Sequence, residues 1–261
     1  MRYVKLYGAF LGHHLKIYLE YRLNFVISAL GVVGWQVAGL AAVWVVLSQV
    51  NDLGGWSAAE VFLIYGLITL AMGISRTFYF NLFFLGQGYI RPGTFDRLLV
   101  RPVNPLFHLL ADRFSPEGIG DLVVGVALVT HAFGALGIPW SLPNLLYLLA
   151  VALGGSVIIL AINLFTATFA FWIVVATPLT LAVNHFTQIA RYPLPIYRKP
   201  LQLVMTWLLP YGLISFYPAE FLLGRAVGPM AFAYLPMGLL LFAGAYRFWL
   251  FGLRHYAGTG S

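Results

Sequence analysis

His13 and His14 stand side by side and are the nearest approach to a metal pair in this sequence. Neighbouring helical residues point about 100° apart, so the two rings do not converge on one ion and no metal site is expected. There is no Gly-x-x-x-x-Gly-Lys-Ser/Thr loop to cradle nucleotide phosphates. A His-Glu-x-x-His pair and a Gly-x-Ser-x-Gly elbow are also missing. Without Cys there is no disulfide, thiolate metal site or thiol nucleophile to consider. His131 and His185 lie in apolar surroundings and read as hydrogen-bonded packing residues. No catalytic residue and no bound cofactor is expected in this chain.

Charge gathers instead in the stretch 90–105, which holds Arg91, Asp96, Arg97 and Arg101. Pro92-Gly93 makes a turn, and Thr94 is placed to cap a short helix through Leu99. Pro102 ends that helix, because the residue before a proline is biased to extended geometry. The expected product is a rigid peg of roughly two helical turns. It would present Phe95, Leu98 and Leu99 as apolar anchors, with Asp96, Arg97 and Arg101 around them. A solvated loop has no need of such anchors, whereas a docking peg does.

The elements that must carry this peg are apolar. Apolar residues make up 61% of the 261 and charged ones 9%, with a mean hydropathy of +0.87, against roughly 45–50% and 25% in soluble domains. The net charge is +7, but the cations flank apolar runs and form no stripe, so they set topology and no nucleic-acid partner is expected. Residues 1–22 carry charge throughout and the first apolar run is too long for a signal core, so no cleavable signal peptide is expected. The fold class is an all-α integral membrane protein with about six transmembrane helices.

The stretch 23–51 is free of charge and predicts a first span at about 23–47. A short loop with Asp52 and Gly54-Gly55 leads to a second at about 60–80, with Arg76 near its far end. The stretch 122–190 carries no charged residue and is too long for one crossing. A turn at 139–143 divides it into spans at about 118–137 and 144–171. Pro178, Pro193, Pro195 and Pro200 break up a connection holding Arg191, Arg198 and Lys199, and the last spans are expected at about 201–217 and 230–251. With both termini cytoplasmic, nearly every Lys and Arg falls inside, Arg76 snorkels to the inner face and only Arg225 lies outside.

A carrier coupled to protons or sodium places ionisable groups near the bilayer midplane. The expected span centres hold only neutral polar groups: Gln36, Thr69, Thr130, His131, Asn163, Thr166, Thr168 and Thr206. Energy is therefore expected to enter from outside the membrane. Residues 2–20 set Arg2, Lys5, His13, Lys16 and Glu20 against Tyr3, Leu6, Tyr7, Phe10, Leu11 and Ile17, an amphipathic helix suited to the inner lipid interface. Gly31, Gly34 and Ala38 offer small-residue packing on the first span. Trp35, Trp44, Tyr79, Phe80, Phe83 and Phe84 read as interfacial belts or lipid-facing packing before they read as substrate contacts.

The run Arg91, Gly93, Phe95, Asp96, Leu98, Leu99, Arg101, Pro102 resembles the first cytoplasmic loop of bacterial type-2 ABC-exporter permeases. The likeness is to the short six-helix family of ABC-2 transporter proteins, with Phe95 in place of the usual aliphatic residue. The stretches 217–224 and 252–257 are similar as well, so the resemblance covers essentially the whole chain. It implies a permease subunit with no ATPase site of its own, in the cytoplasmic membrane of a bacterium. Two such chains, identical or related, would join two separate ABC ATPase subunits that bind ATP and Mg2+. By the same resemblance, the loop 90–102 is the coupling element, with Arg91, Gly93, Thr94, Phe95, Asp96, Arg97, Leu98, Leu99 and Arg101 at the ATPase. The helix 2–20, with Lys5, Lys16 and Glu20, is an interfacial connecting helix, and residues 217–228 form outer gate helices with Pro218, Glu220, Phe221 and Arg225. The first and fifth spans would pair the permease chains. A membrane enzyme acting on lipids and a non-transporting scaffold are the alternatives, and the substrate is not legible.

Overall fold

The computed structural model describes residues 2–256 except Tyr21, Val50, Asn51, Pro116, Val174, Ala226 and Val227. Ala226 and Val227 of the expected gate segment and Ala257 of the C-terminal motif thus lie outside the described residues. The described chain is helical and without strands. The N-terminal part runs α1 (Arg2–Glu20), α2 (Arg22–Gln49), α3 (Ala58–Tyr79), α4 (Asp96–Leu99) and α5 (Pro105–Ala111). Then come α6 (Glu117–Leu136), α7 (Leu142–Thr168), α8 (Thr177–Ile189), α9 (Lys199–Leu203), α10 (Phe216–Leu222) and α11 (Tyr234–His255). Among the described residues, five helices are long and apolar enough to cross a membrane: Val26–Val45, Ala58–Ile90, Glu117–Leu136, Leu142–Phe171 and Tyr234–His255.

Local sequence sets the helix starts. Ser57 accepts from Glu60 N while the Glu60 carboxylate accepts from Ser57 N at 2.7 Å, a capping box that opens α3. Asn104 caps α5 and Ser141 caps α7, each followed by proline in the first turn. Beyond Tyr79, 3-10 and π turns carry α3 on to Ile90. The resulting element of 33 residues outreaches a hydrocarbon core of ~30 Å at ~1.5 Å per residue.

Lipid tails give helices no hydrophobic reason to associate, so packing rests on close backbone approach. The α3–α6 contact is built that way. A Cβ on Gly66 would stand 3.1 Å from Val129 N, and one on Gly73 2.9 Å from Leu122 N. On the facing helix, a Cβ on Gly118 would stand 2.6 Å from Gly73 O. Gly154, Gly238 and Gly252 bring α7 and α11 together in the same manner.

The stretch 201–217 is not one helix. Pro210 removes a donor inside it, and the stretch divides into α9, a π turn at Val204–Leu208, a 3-10 turn at Tyr211–Leu213 and the start of α10. The element that runs alongside α3 comes earlier. The Thr177 hydroxyl donates to Phe83 O at 3.0 Å, while Ile196 sits against Gly54 in the loop before α3. Residues 177–196 therefore run antiparallel to α3 between its two ends. Arg191 lies inside the bundle, and Arg198 and Lys199 follow Ile196 at the Gly54 end. Ile214 then fills the space left by Gly155 and meets Ala71, so residues 209–216 dip to the middle of the bundle before α10 returns.

Candidate functional site

A cleft of about 440 Å³ opens between α2, α3, α7 and α8. Trp35, Phe80, Phe83 and Phe84 form its aromatic wall, and Arg76, Asn163, Asn184, His185 and Gln188 are among its polar groups. Four of the six aromatics that read as belts in the sequence thus line a cavity. Asn184 donates to Asn163 at 2.6 Å and Thr180 to Thr166 at 3.0 Å, which ties α8 to α7 along the cleft. Arg113 stacks on Phe84 from outside, 5.5 Å from its centroid.

Behind the cleft lies a buried polar cluster. Gln36 in the middle of α2 donates to Asp121 at 2.5 Å and accepts from the Tyr65 hydroxyl at 2.9 Å and from Arg191 at 3.3 Å. Arg76 pairs with Asp121 at 2.7 Å, and Arg191 stacks on the Tyr65 ring at 4.4 Å. Gly39 makes room, because a Cβ there would come within 2.8 Å of the Tyr65 hydroxyl. The expectation of neutral polar groups alone inside the spans is corrected here. Asp121, one position before the uncharged stretch, reads as a flanking charge, yet α6 begins early enough to bury it completely. Gln36 was the available signal: a lone amide in a long apolar helix needs buried partners.

The 90–102 loop differs from its expected form in two respects. Gly93 adopts φ 70°, which turns the chain back, so that Thr94 donates to Tyr89 O at 3.2 Å and does not cap α4. Phe95 and Leu98 also face inward. Phe95 is fully buried against Tyr256 at 5.1 Å, Phe171 at 5.4 Å and Trp249 at 6.2 Å. The reason is the apolar pocket between the ends of α7 and α11, which is closer than any outside surface. Leu99 is 39% and Val100 84% exposed, with Arg91, Arg97 and Arg101 beside them. Asp96 accepts from the Tyr256 hydroxyl at 2.9 Å. Burial, and then that bond to a carboxylate, push the Tyr256 phenol up to about 12.

Arg101 reaches the His108 Nε2 at 2.9 Å, and burial followed by that guanidinium holds the imidazole below its usual value, against the pull of Asp112. Phe10 of α1 packs on His108 at 5.4 Å, and Tyr3 and Tyr7 pack on Phe107, so α1 rests on α5. Lys5, His13, Lys16 and Glu20 point away, exposed. At the opposite end, Arg225 bridges Glu60 and Glu220 and stacks on Trp56 at 4.2 Å. Phe221 packs on Tyr147 at 4.6 Å and Pro218 is buried. The expected gate residues therefore gather around the start of α3 and the first half of α7. His131 is exposed beside Phe62 and His185 lines the cleft, so neither is a core packing residue. No group of three metal-ligating side chains occurs among the described residues.

No curated protein and no solved structure matches the chain. The family described as "ABC-2 family transporter protein" matches it over residues 33–260, a stretch that takes in every element from α3 to α11. With its five apolar helices and a match over nearly its whole length, the chain is a multi-pass membrane protein and belongs to the ABC-2 family transporter proteins, as a permease component.

Proposed function

We propose that this chain is the transmembrane half of an ATP-driven exporter in a bacterial cytoplasmic membrane. A second permease chain, identical or related, completes the pathway, and two ABC ATPase subunits supply ATP and Mg2+ chemistry. Both termini and the 90–102 loop lie on the cytoplasmic side. Residues 177–196 serve as a further crossing beside the five apolar helices, and residues 209–225 form the outer gate. The observation that carries the reading is the loop after α3. Phe95 locks it from behind, and it turns Leu99 and Val100 outward, with the exposed Arg91, Arg97 and Arg101 close by in sequence. Nucleotide binding closes the ATPases and moves this peg, and the permease halves rock to open the cleft.

Leu98 is buried, so Leu98→Asp would report folding and not docking. Leu99→Asp and Val100→Asp are the informative changes. Removing an interface anchor costs about 2 kcal/mol, roughly 30-fold in affinity. Each variant should therefore insert and melt like the native chain, yet lose recovery of the ATPase on purification and most substrate-linked ATP turnover. Native turnover in both variants sinks the peg assignment.

A further inference from the structure

Asp121 is the carboxylate shared by Arg76 and Gln36, and Arg191 sits on the far side of the same Gln36. The cluster thus holds two guanidinium groups for one carboxylate. An excess charge is costly in a low-dielectric interior and is stabilised by a counter-ion within reach. Its members differ in access. The Asp121 side chain is 0% exposed, whereas that of Arg76 is 32% exposed and lines the cleft. Asp121 takes one arm of that guanidinium, and a guanidinium has five N–H donors in a fork. The part-exposed Arg76 side chain brings this donor group to the cleft lining.

The cleft wall fixes the sign and shape of what it admits. Among the described residues it contains no Asp or Glu, and its other polar groups are amides, hydroxyls and His185. A cation entering would meet Arg76 and no carboxylate on the lining, and a neutral molecule would leave the cluster's excess in place. Trp35, Phe80 and Phe83 offer apolar surface next to Arg76. The volume of about 440 Å³ lies within the range for small-ligand sites.

We propose that the cleft binds an amphiphile bearing one anionic group, with the anion on Arg76 and the apolar body against Trp35, Phe80 and Phe83. As a statement about cargo this rests on the permease reading. As a statement about binding it stands on the chain alone. Asp121 competes with the ligand for the Arg76 fork and keeps the empty site from holding anions too tightly.

The test uses the purified full chain in zwitterionic nanodiscs. The probes are a fluorescent twelve-carbon fatty acid and its methyl ester. The native chain should prefer the acid by at least about tenfold, the worth of a charge-assisted hydrogen bond. Asp121→Asn frees the fork and should raise acid affinity several-fold without moving the ester. Arg76→Gln combined with Asp121→Asn leaves no buried carboxylate unpaired and should erase the preference, with thermal unfolding confirming the fold. Equal binding of acid and ester by the native chain, or a preference that survives in the double variant, overturns the proposal. Adding phosphatidylglycerol to the discs assigns the source: displacement of the acid points to a bilayer lipid, and undiminished binding to a free amphiphile. No ATPase enters this measurement. Its failure leaves the coupling argument standing, and failure of the Leu99 and Val100 tests leaves the anion site standing.

Discussion

His108 joins two neighbours of opposite effect, Arg101 at 2.9 Å and Asp112 at 3.9 Å, inside an apolar cover that includes Phe10. Burial and Arg101 prevail and hold its pKa down. The folded chain therefore binds a proton on this ring less readily than the unfolded chain, whose imidazole titrates near ~6.5. The stabilisation is complete above that value and is lost as pH falls through the lowered folded pKa. The midpoint of thermal unfolding should drop between pH 7.5 and 5, and His108→Gln should flatten that slope. An unchanged slope in the variant would remove His108 as the cause. Residues such as this one, and Asp121, are where reading from sequence stops. A single charge at a helix start has the same appearance whether it faces water or a buried amide, and only the partner brought from α2 decides.

At the scale of elements, the apolar runs were legible because a span needs about 20 apolar residues and cations at its inner end. Expected and observed helices overlap at 23–47, 118–137, 144–171 and 230–251. The second continues on to Ile90, because aromatic 3-10 and π turns prolong it where a break was expected. The stretch 201–217 differs for a physical reason: hydropathy does not count donors, and Pro210 in its middle denies it a continuous ladder. The α3–α6 contact carries its own prediction. Gly118→Ala places a methyl group against backbone on the facing helix, whereas Gly134 has nothing within 4 Å. Overpacking of that kind costs about 1–3 kcal/mol. The first variant should unfold at clearly lower temperature in detergent and the second should match the native chain. Equal midpoints would mean that the two helices separate freely.

For the whole molecule, α2 is the loosest of the long helices. Among its described side chains only Gln36 and Val43 are buried, each 1% exposed. Its attachment therefore leans on a polar contact beside a small apolar one made by Val33, Leu40 and Val43. Gln36→Leu removes three hydrogen bonds and leaves Asp121 and Tyr65 short of partners, at about 1–3 kcal/mol for each buried group left bare. Since the sequence contains no Cys, one cysteine placed in α2 and one in α6 would report the gap by disulfide trapping. The yield should fall in the Gln36→Leu background, and an unaltered yield would show that apolar contact alone holds α2.

The ring of Phe95 has a mechanical consequence. It is wedged between Phe171 at the end of α7 and Trp249 and Tyr256 at the end of α11, while its own backbone continues from α3. Three helix ends meet on one side chain, so the loop is a keyed joint and not a tether. A load applied at Val100 would reach all three helix ends through that one ring. Phe95→Ala would cut the key while sparing the outward surface, giving a joint that still engages its driver but slips.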